Sequence, residues 1–418
     1  MHAMFPIRRA ARALAVSLCA AALCLGAGAC GEAAASPDGP AADVAAQSSP
    51  SAQQSPSVQP PPSVQSPQSA PSTPQAKARA AVDAMSLEER VGQLVMVPLF
   101  AGTDASALRT LIRDRHAGSV LVIGKWKSGT AGVAEAVDVL QSYAPDGNRL
   151  IVATDQEGGT VQHLTGTGFD AIPSAVRQGA MDADTLRSSA ARWGSQLAEA
   201  GVNVDLAPVT DTVVGPRKAN APIGALNRDF GLDADGNAAH AIAFVTGMRD
   251  AGVMSAVKHY PGLGAVTGNM DFTAEGITDT TTTLGGPEVA AFDRTIREAD
   301  PAMVMMSLAT YRAIDGSAPA AFSRAIVDGH LRGTAGYGGV VISDSLSAEA
   351  LGGIPTGELG VRLIEAGGDL ACIGASELVA PIMDGLMAKA QADPSFAERV
   401  MASAVRVMTL KYRMGLAG

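Results

Sequence analysis

Leu150-Ile151-Val152-Ala153-Thr154-Asp155-Gln156-Glu157-Gly158-Gly159 is an unbroken apolar run that ends abruptly in acids and glycines. A strand with one wet face alternates apolar and polar residues, whereas an uninterrupted run fits a parallel strand buried on both faces. Met303-Val304-Met305-Met306 and Gly339-Val340-Val341-Ile342 read the same way, the second closing in Ser343-Asp344-Ser345-Leu346. Eight such runs can be marked: Val91–Leu99, Ser119–Ile123, Leu150–Thr154, Val202–Ala207, Met254–Lys258, Ala302–Ser307, Val340–Ser343 and Asp369–Ile373. Amphipathic, helix-like segments lie between them, among them Ala131–Tyr143, Asp184–Ala200, Ala234–Ala251 and Glu288–Ala299. Strand and helix alternating about eight times predicts an α/β protein, a single (β/α)8 TIM-type barrel over residues 77–418. A doubly wound nucleotide-binding sheet would need a Gly-x-Gly-x-x-Gly turn after its first strand. Gly262-Leu263-Gly264 lacks the third glycine, and no Walker-type sequence occurs.

The chain ahead of the barrel reads differently. Arg8, Arg9 and Arg12 precede an apolar stretch from Ala13 to Gly28 that is short for a membrane span and rich in small residues. This is the pattern of an export signal. It ends at Ala27-Gly28-Ala29-Cys30-Gly31, which resembles a bacterial lipobox with Cys30 as the lipidated residue. The expectation is a lipoprotein-type signal over 1–30 and a lipid-anchored protein facing the cell wall, with ordinary secretion as the alternative. Residues 31–76 are dominated by Ala, Ser, Pro and Gln, with too little apolar surface to offset ordering, which predicts a disordered tether. Of four cysteines only Cys372 lies in the barrel region, so no disulfide framework is implied and a buried structural thiol is expected. The net charge of −10 and the absence of a Lys/Arg cluster beyond the signal argue against a nucleic-acid partner.

Ionisable residues recur where the apolar runs stop, which on a barrel is the end that carries chemistry. Asp344 follows one run. A carboxylate there suits nucleophilic attack on an anomeric carbon, or equally the cap of a helix starting near Ser347. Asp155 holds the same place after Leu150–Thr154, where it could accept sugar hydroxyls or sit in a solvated glycine turn. Lys258-His259-Tyr260-Pro261-Gly262-Leu263-Gly264 puts a cation and an imidazole at a third terminus. His259 could bind a ligand or be a satisfied core histidine. Arg228 could clasp vicinal hydroxyls or pair with Asp229 or Asp233. Trp126 could stack on a sugar ring or anchor a loop.

In this order the stretches resemble family 3 glycoside hydrolases, in particular the single-domain bacterial β-N-acetylglucosaminidase branch. Met85-Ser86-Leu87-Glu88-Glu89-Arg90-Val91-Gly92-Gln93-Leu94, Gly201-Val202-Asn203-Val204-Asp205-Leu206-Ala207-Pro208-Val209-Thr210-Asp211 and Glu365-Ala366-Gly367-Gly368-Asp369 extend the likeness over nearly the whole barrel region. The resemblance implies a retaining hydrolase for terminal β-linked N-acetylhexosamine, typically in peptidoglycan fragments, needing no metal or cofactor. It implies Asp344 as nucleophile and Asp155, Arg228, Lys258 and His259 as sugar-binding residues. A monomer is expected. A β-glucosidase of the same family, or a weak or inactive homologue that only binds sugar, are the alternatives.

The sequence departs from that pattern at the acid/base. The loop after the Lys-His motif in this branch carries Asp-Ser-His, and the aligned triplet here is Asn269-Met270-Asp271. Thr160 replaces the usual Arg after Glu-Gly-Gly, and Leu263 replaces a His. Asp271 is the candidate proton donor, because a carboxyl crowded against a nucleophilic carboxylate has its pKa raised. Glu275 on the same loop, or no acid at all, are the other readings.

Overall fold

The computed structural model describes residues 73–274 and 276–418. The signal-like segment with Cys30, nearly all of the tether, and Glu275 lie outside the described residues. Eight strands form the barrel: β1 Val95–Phe100, β2 Ser119–Ile123, β3 Ile151–Thr154, β4 Val204–Asp205, β5 Met254–Tyr260, β6 Met303–Met306, β7 Val340–Ser343 and β8 Ala371–Cys372. From β1 to β7 each strand pairs in parallel with the next in the chain, and β8 pairs in parallel with β1. A bridge between Ile342 and Leu370 and the Ser343 N–H to Leu370 carbonyl bond (3.0 Å) join β8 to β7 and close the cylinder.

Side-chain alternation on these strands explains why their sequences show none. Met96, Leu121, Ile151, Ala153, Val204, Ala256, Met303, Met305, Val340, Ile342, Leu370 and Cys372 fill the interior, with Val407, Leu410 and Leu416 of the C-terminal segment in the same cluster. Val95, Val97, Val120, Val122, Val152, Val257, Val304 and Val341 belong to the larger cluster against the helices. Both faces are therefore dry, and each fully buried aliphatic side chain contributes about 1.5–3 kcal/mol. Cys372 is one of the interior residues, a buried thiol without a disulfide partner among the described residues.

The outer layer contains Gly129–Gln141, Ala183–Glu199, Ala234–Asp250, Pro287–Ala299, Thr356–Ala366, Ser376–Ala392 and Pro394–Arg413. Ala325–Thr334, between β6 and β7, is a wide helix in which the Ala335 N–H reaches the His330 carbonyl at 2.8 Å. The first predicted strand starts too early. Leu87–Gln93 is a helix, because Ser86 accepts from the Glu89 N–H while the Glu89 carboxylate accepts from the Ser86 N–H at 2.7 Å. That reciprocal cap holds Val91 in a helical turn, and the strand begins at Val95. A helix over Pro74–Ala84, capped by Thr73, starts three residues ahead of the boundary drawn at 77.

Candidate functional site

Period two along a strand places the ionisable residues. Ile151 and Ala153 face the barrel interior, so Asp155 continues that face one step past β3. Ala256 puts Lys258 on the inner face of β5, and Val340 and Ile342 put Asp344 on that of β7. Three charged side chains thus stand in one layer above an apolar floor, at the C-terminal ends of the strands. On β5 the register slips between Lys258 and Tyr260, with His259 as the extra residue. Such a bulge re-aims a side chain, and both Lys258 and His259 make contacts within the polar layer.

Lys258 is 2% exposed, and its Nζ lies 2.5 Å from Asp155 Oδ1 and 2.6 Å from Glu157 Oε1. Burial disfavours its charge, but Asp155 and Glu157 outweigh that and hold the ammonium above its usual range. Glu157 is buried as well, and burial alone would raise it. Arg228 and Lys258 instead keep the carboxylate well below the usual range. Arg228 donates through Nε (2.9 Å) and Nη2 (2.8 Å) to the two Glu157 oxygens, and through Nη1 to the Pro222 carbonyl (2.9 Å). Its partner is therefore Glu157. Asp229 pairs with Arg217.

His259 Nδ1 lies 2.7 Å from Asp211 Oδ2, and Nε2 lies 3.4 Å from Arg228 Nη2. A carboxylate on one side and a donor-only guanidinium on the other assign the proton to Nδ1. Asp211 also accepts from the Leu263 N–H at 2.7 Å, tying the loop after β4 to the loop after β5. A Cβ at Gly264 would collide with the Thr212 carbonyl, so this approach requires glycine.

Asp344 is half-buried, and its Oδ1 accepts from the Ser345 N–H at 2.7 Å. It caps no helix; a short 3-10 turn follows at Glu349–Leu351, and the next α-helix starts at Thr356. Asp271 sits at the mouth, open to solvent on one side. Partial burial and then the Asp344 charge push its carboxyl up, while Arg228 and His259 oppose them. The residues gathered here are Asp155, Arg228, Lys258, His259, Asp271 and Asp344, all six candidates of the catalytic end. His330 is elsewhere, with Nε2 3.1 Å from Asp293 on an outer helix and its ring stacked on Tyr260. Trp126 is buried, its Nε1–H bonded to the Ile123 carbonyl at 2.9 Å, and it anchors the loop.

Four participants were not singled out from the sequence. Glu157 and Asp211 lie inside quoted motifs, but their roles depend on pairings across loops. Asp205 accepts from the Gln156 N–H at 3.0 Å and has no partner at Oδ2 among the described residues. Burial pushes its carboxyl up to about 8, which favours the uncharged form. His163 returns to the site because Gln156–Gly158 and Val161–Gln162 form a hairpin. Its Nδ1 donates to the Gly124 carbonyl (2.9 Å), and its Nε2 lies 3.9 Å from Asp155 Oδ2. Only the glycine pair Gly158-Gly159 hinted at that turn.

A closed barrel with this cluster at its strand ends matches a known family. The profile of the glycosyl hydrolase family 3 N terminal domain covers residues 86–410, and the chain belongs to that family. The chain is similar to a β-N-acetylhexosaminidase of known structure from Beutenbergia cavernae, with 45% identity, a TM-score of 0.75, and coverage of 77% of this chain and 97% of that one. It is 31% identical over 341 residues to the β-hexosaminidase LpqI of Mycobacterium tuberculosis, covering 78% of this chain and 83% of the relative. A family 3 β-N-acetylglucosaminidase structure from Paenibacillus sp. shares 29% identity at a TM-score of 0.70, over 80% of this chain and 64% of that one.

Proposed function

We propose that the protein is a retaining β-N-acetylhexosaminidase that removes a terminal β-linked N-acetylhexosamine. The named activities of its relatives support this, and so do two carboxyls at the barrel mouth with unlike surroundings. Asp344 attacks the anomeric carbon as Asp271 protonates the departing glycosidic oxygen, giving a covalent glycosyl–Asp344 ester. Asp271 then takes a proton from water, the water oxygen displaces Asp344, and both groups return to their starting states. Asp155, Arg228, Lys258 and His259 hold the sugar. The observation that carries the reading is Asp271: partial burial and then the Asp344 charge push its carboxyl up, the direction a proton donor needs.

The substrate we infer is cell-wall glycan or its muropeptide fragments, reached by an exported chain anchored through Cys30. Mass analysis of the mature N-terminus tests the anchor, and a diacylglyceryl-modified Cys30 is the expected result. A second reading, a sugar-binding homologue without turnover, draws on the loop's lack of a histidine. One experiment decides between them. The protein is expected to hydrolyse an aryl β-N-acetylglucosaminide and the corresponding disaccharide, and Asp344→Asn to lower both by at least about a thousandfold. Asp271→Ala should lower the disaccharide far more than the activated aryl substrate, whose leaving group needs little protonation. Binding of N-acetylglucosamine without turnover of either substrate would select the second reading.

A further inference from the structure

Phe272, the residue after Asp271, is exposed over 78% of its surface, more than the other exposed large apolar residues Val214 (51%) and Leu226 (38%). The local turn does not account for an aromatic there. Asn269 Oδ1 accepts the Asp271 N–H at 3.0 Å and its carbonyl accepts the Phe272 N–H at 3.2 Å, so a side chain at 272 is not needed to form it. Met270 supplies the inward anchor: it is 4% exposed, and its carbonyl accepts the Ala350 N–H at 3.1 Å. The turn is therefore fixed from below, with Asp271 at the mouth and Phe272 the next residue along it.

The direction of a bound substrate follows from the floor. Below Asp155, Lys258 and Asp344 the barrel is filled by apolar side chains, so a sugar seated on those three residues can extend only outward. Its leaving group must pass the proton donor, and the residue next to that donor in the chain carries an exposed ring. Pyranose rings carry an apolar C–H face that stacks on aromatic rings. We propose that Phe272 is the platform for the leaving-group sugar, a specificity-determining residue on the acceptor side of the scissile bond. This rests on the hexosaminidase reading above and adds what lies beyond the cleaved bond: a pyranose is preferred over a small or acyclic leaving group.

The test compares kcat/KM for an N-acetylglucosamine β-linked disaccharide with that for β-N-acetylglucosaminyl fluoride, whose leaving group offers no ring to stack. Phe272→Ala is expected to lower the disaccharide-to-fluoride ratio about tenfold, mainly through the KM of the disaccharide. Phe272→Trp should restore the ratio to within about threefold, since the ring face is what matters. Val214→Ala removes exposed apolar surface beside Thr212, Asp233 and Pro287, outside the site, and should leave the ratio at the wild-type value. An unchanged ratio in Phe272→Ala, or an equal fall in Val214→Ala, overturns the proposal. If wild-type protein turns over neither substrate, the hexosaminidase reading fails and the platform with it. Turnover of both with no change at position 272 defeats the platform alone.

Discussion

Two lysines are buried at opposite ends of the barrel, and their surroundings differ in kind. Lys258 sits in the charged layer, in contact with the Asp155 and Glu157 carboxylates. Lys411, on the C-terminal helix, is fully buried and bonded to two neutral amide oxygens, Gln93 Oε1 (2.9 Å) and Asn148 Oδ1 (2.8 Å). Burial disfavours the charge on both. At Lys258 the carboxylates overcome that cost and raise the ammonium. At Lys411 no charge offsets it, and the ammonium is pushed down to about 7. Residue type and burial are matched, so the partners decide the charge. The first lysine is a fixed cation in a charged layer; the second holds a helix and titrates near neutrality.

The largest expected effect is at Lys258. Lys258→Met keeps the volume and removes the charge, leaving Asp155 without its ammonium partner and Glu157 with Arg228 alone. The expected outcome is a fall in kcat/KM on the aryl glycoside of about a thousandfold or more. A stability loss of about 3–5 kcal/mol should accompany it, the cost of breaking a buried ion pair by removing one partner. Steady-state kinetics and urea unfolding measure the two. A variant as active and stable as the wild type would break the comparison, because Lys258 would then be no more committed to its carboxylates than Lys411 is to its amides.

Glu157→Gln sharpens the comparison by making Lys258 more like Lys411. The amide keeps one acceptor oxygen but turns an NH2 group toward Arg228 or Lys258, both donor-only side chains. If Arg228 binds the sugar as proposed, KM is expected to rise about tenfold, with a smaller change in kcat, because both Glu157 oxygens are taken up in aiming Arg228. The Glu157 carboxyl is lowered by folding, so its contribution to stability is present above the unfolded value near 4.5 and fades as pH falls below it. Glu157→Gln should therefore flatten the acid end of the stability profile. An unchanged KM together with an unchanged acid profile would show that Glu157 is not coupled to Arg228 and Lys258 as the ion-pair geometry requires.

The barrel and the charged layer could be read from sequence for one reason. Both are written in short local stretches: unbroken apolar runs mark the strands, and the residues that end them, Asp155, Lys258 and Asp344, mark the site. What could not be read depends on pairings across chain distance. Glu157 with Arg228, His259 with Asp211 and the return of His163 to Asp155 require loops whose closure has no local signature. Val91 was misassigned because its apolar character suits a strand, while the decisive signal lay upstream in the Ser86 and Glu89 cap. Lys411 escaped notice entirely: a lysine on a helix is ordinarily solvated, and only the packed end of the barrel makes it unusual.

Lys411→Met carries the smallest effect on activity, and its effect on stability shows in a slope more than in a level. The folded amine titrates at about 7 and the unfolded one near 10.5, so between those values the unfolded chain binds the extra proton. Stability contributed at this position therefore rises with pH across that window, by about 1.4 kcal/mol per unit, and is lowest below neutrality where a charged amine is buried. Methionine cannot titrate. The variant leaves Gln93 and Asn148 without a donor, which offsets some of the gain. The difference between wild type and Lys411→Met should nevertheless shift in the variant's favour on going from pH 9 to pH 6. Thermal unfolding at the two pH values measures it, while glycosidase activity at pH 7 stays at the wild-type level because Lys411 packs against the end of the barrel away from Asp344. If the two pH profiles are parallel, Lys411 keeps its proton in the folded state, and its neutral partners have stabilised an ammonium as well as the Asp155 and Glu157 carboxylates do for Lys258.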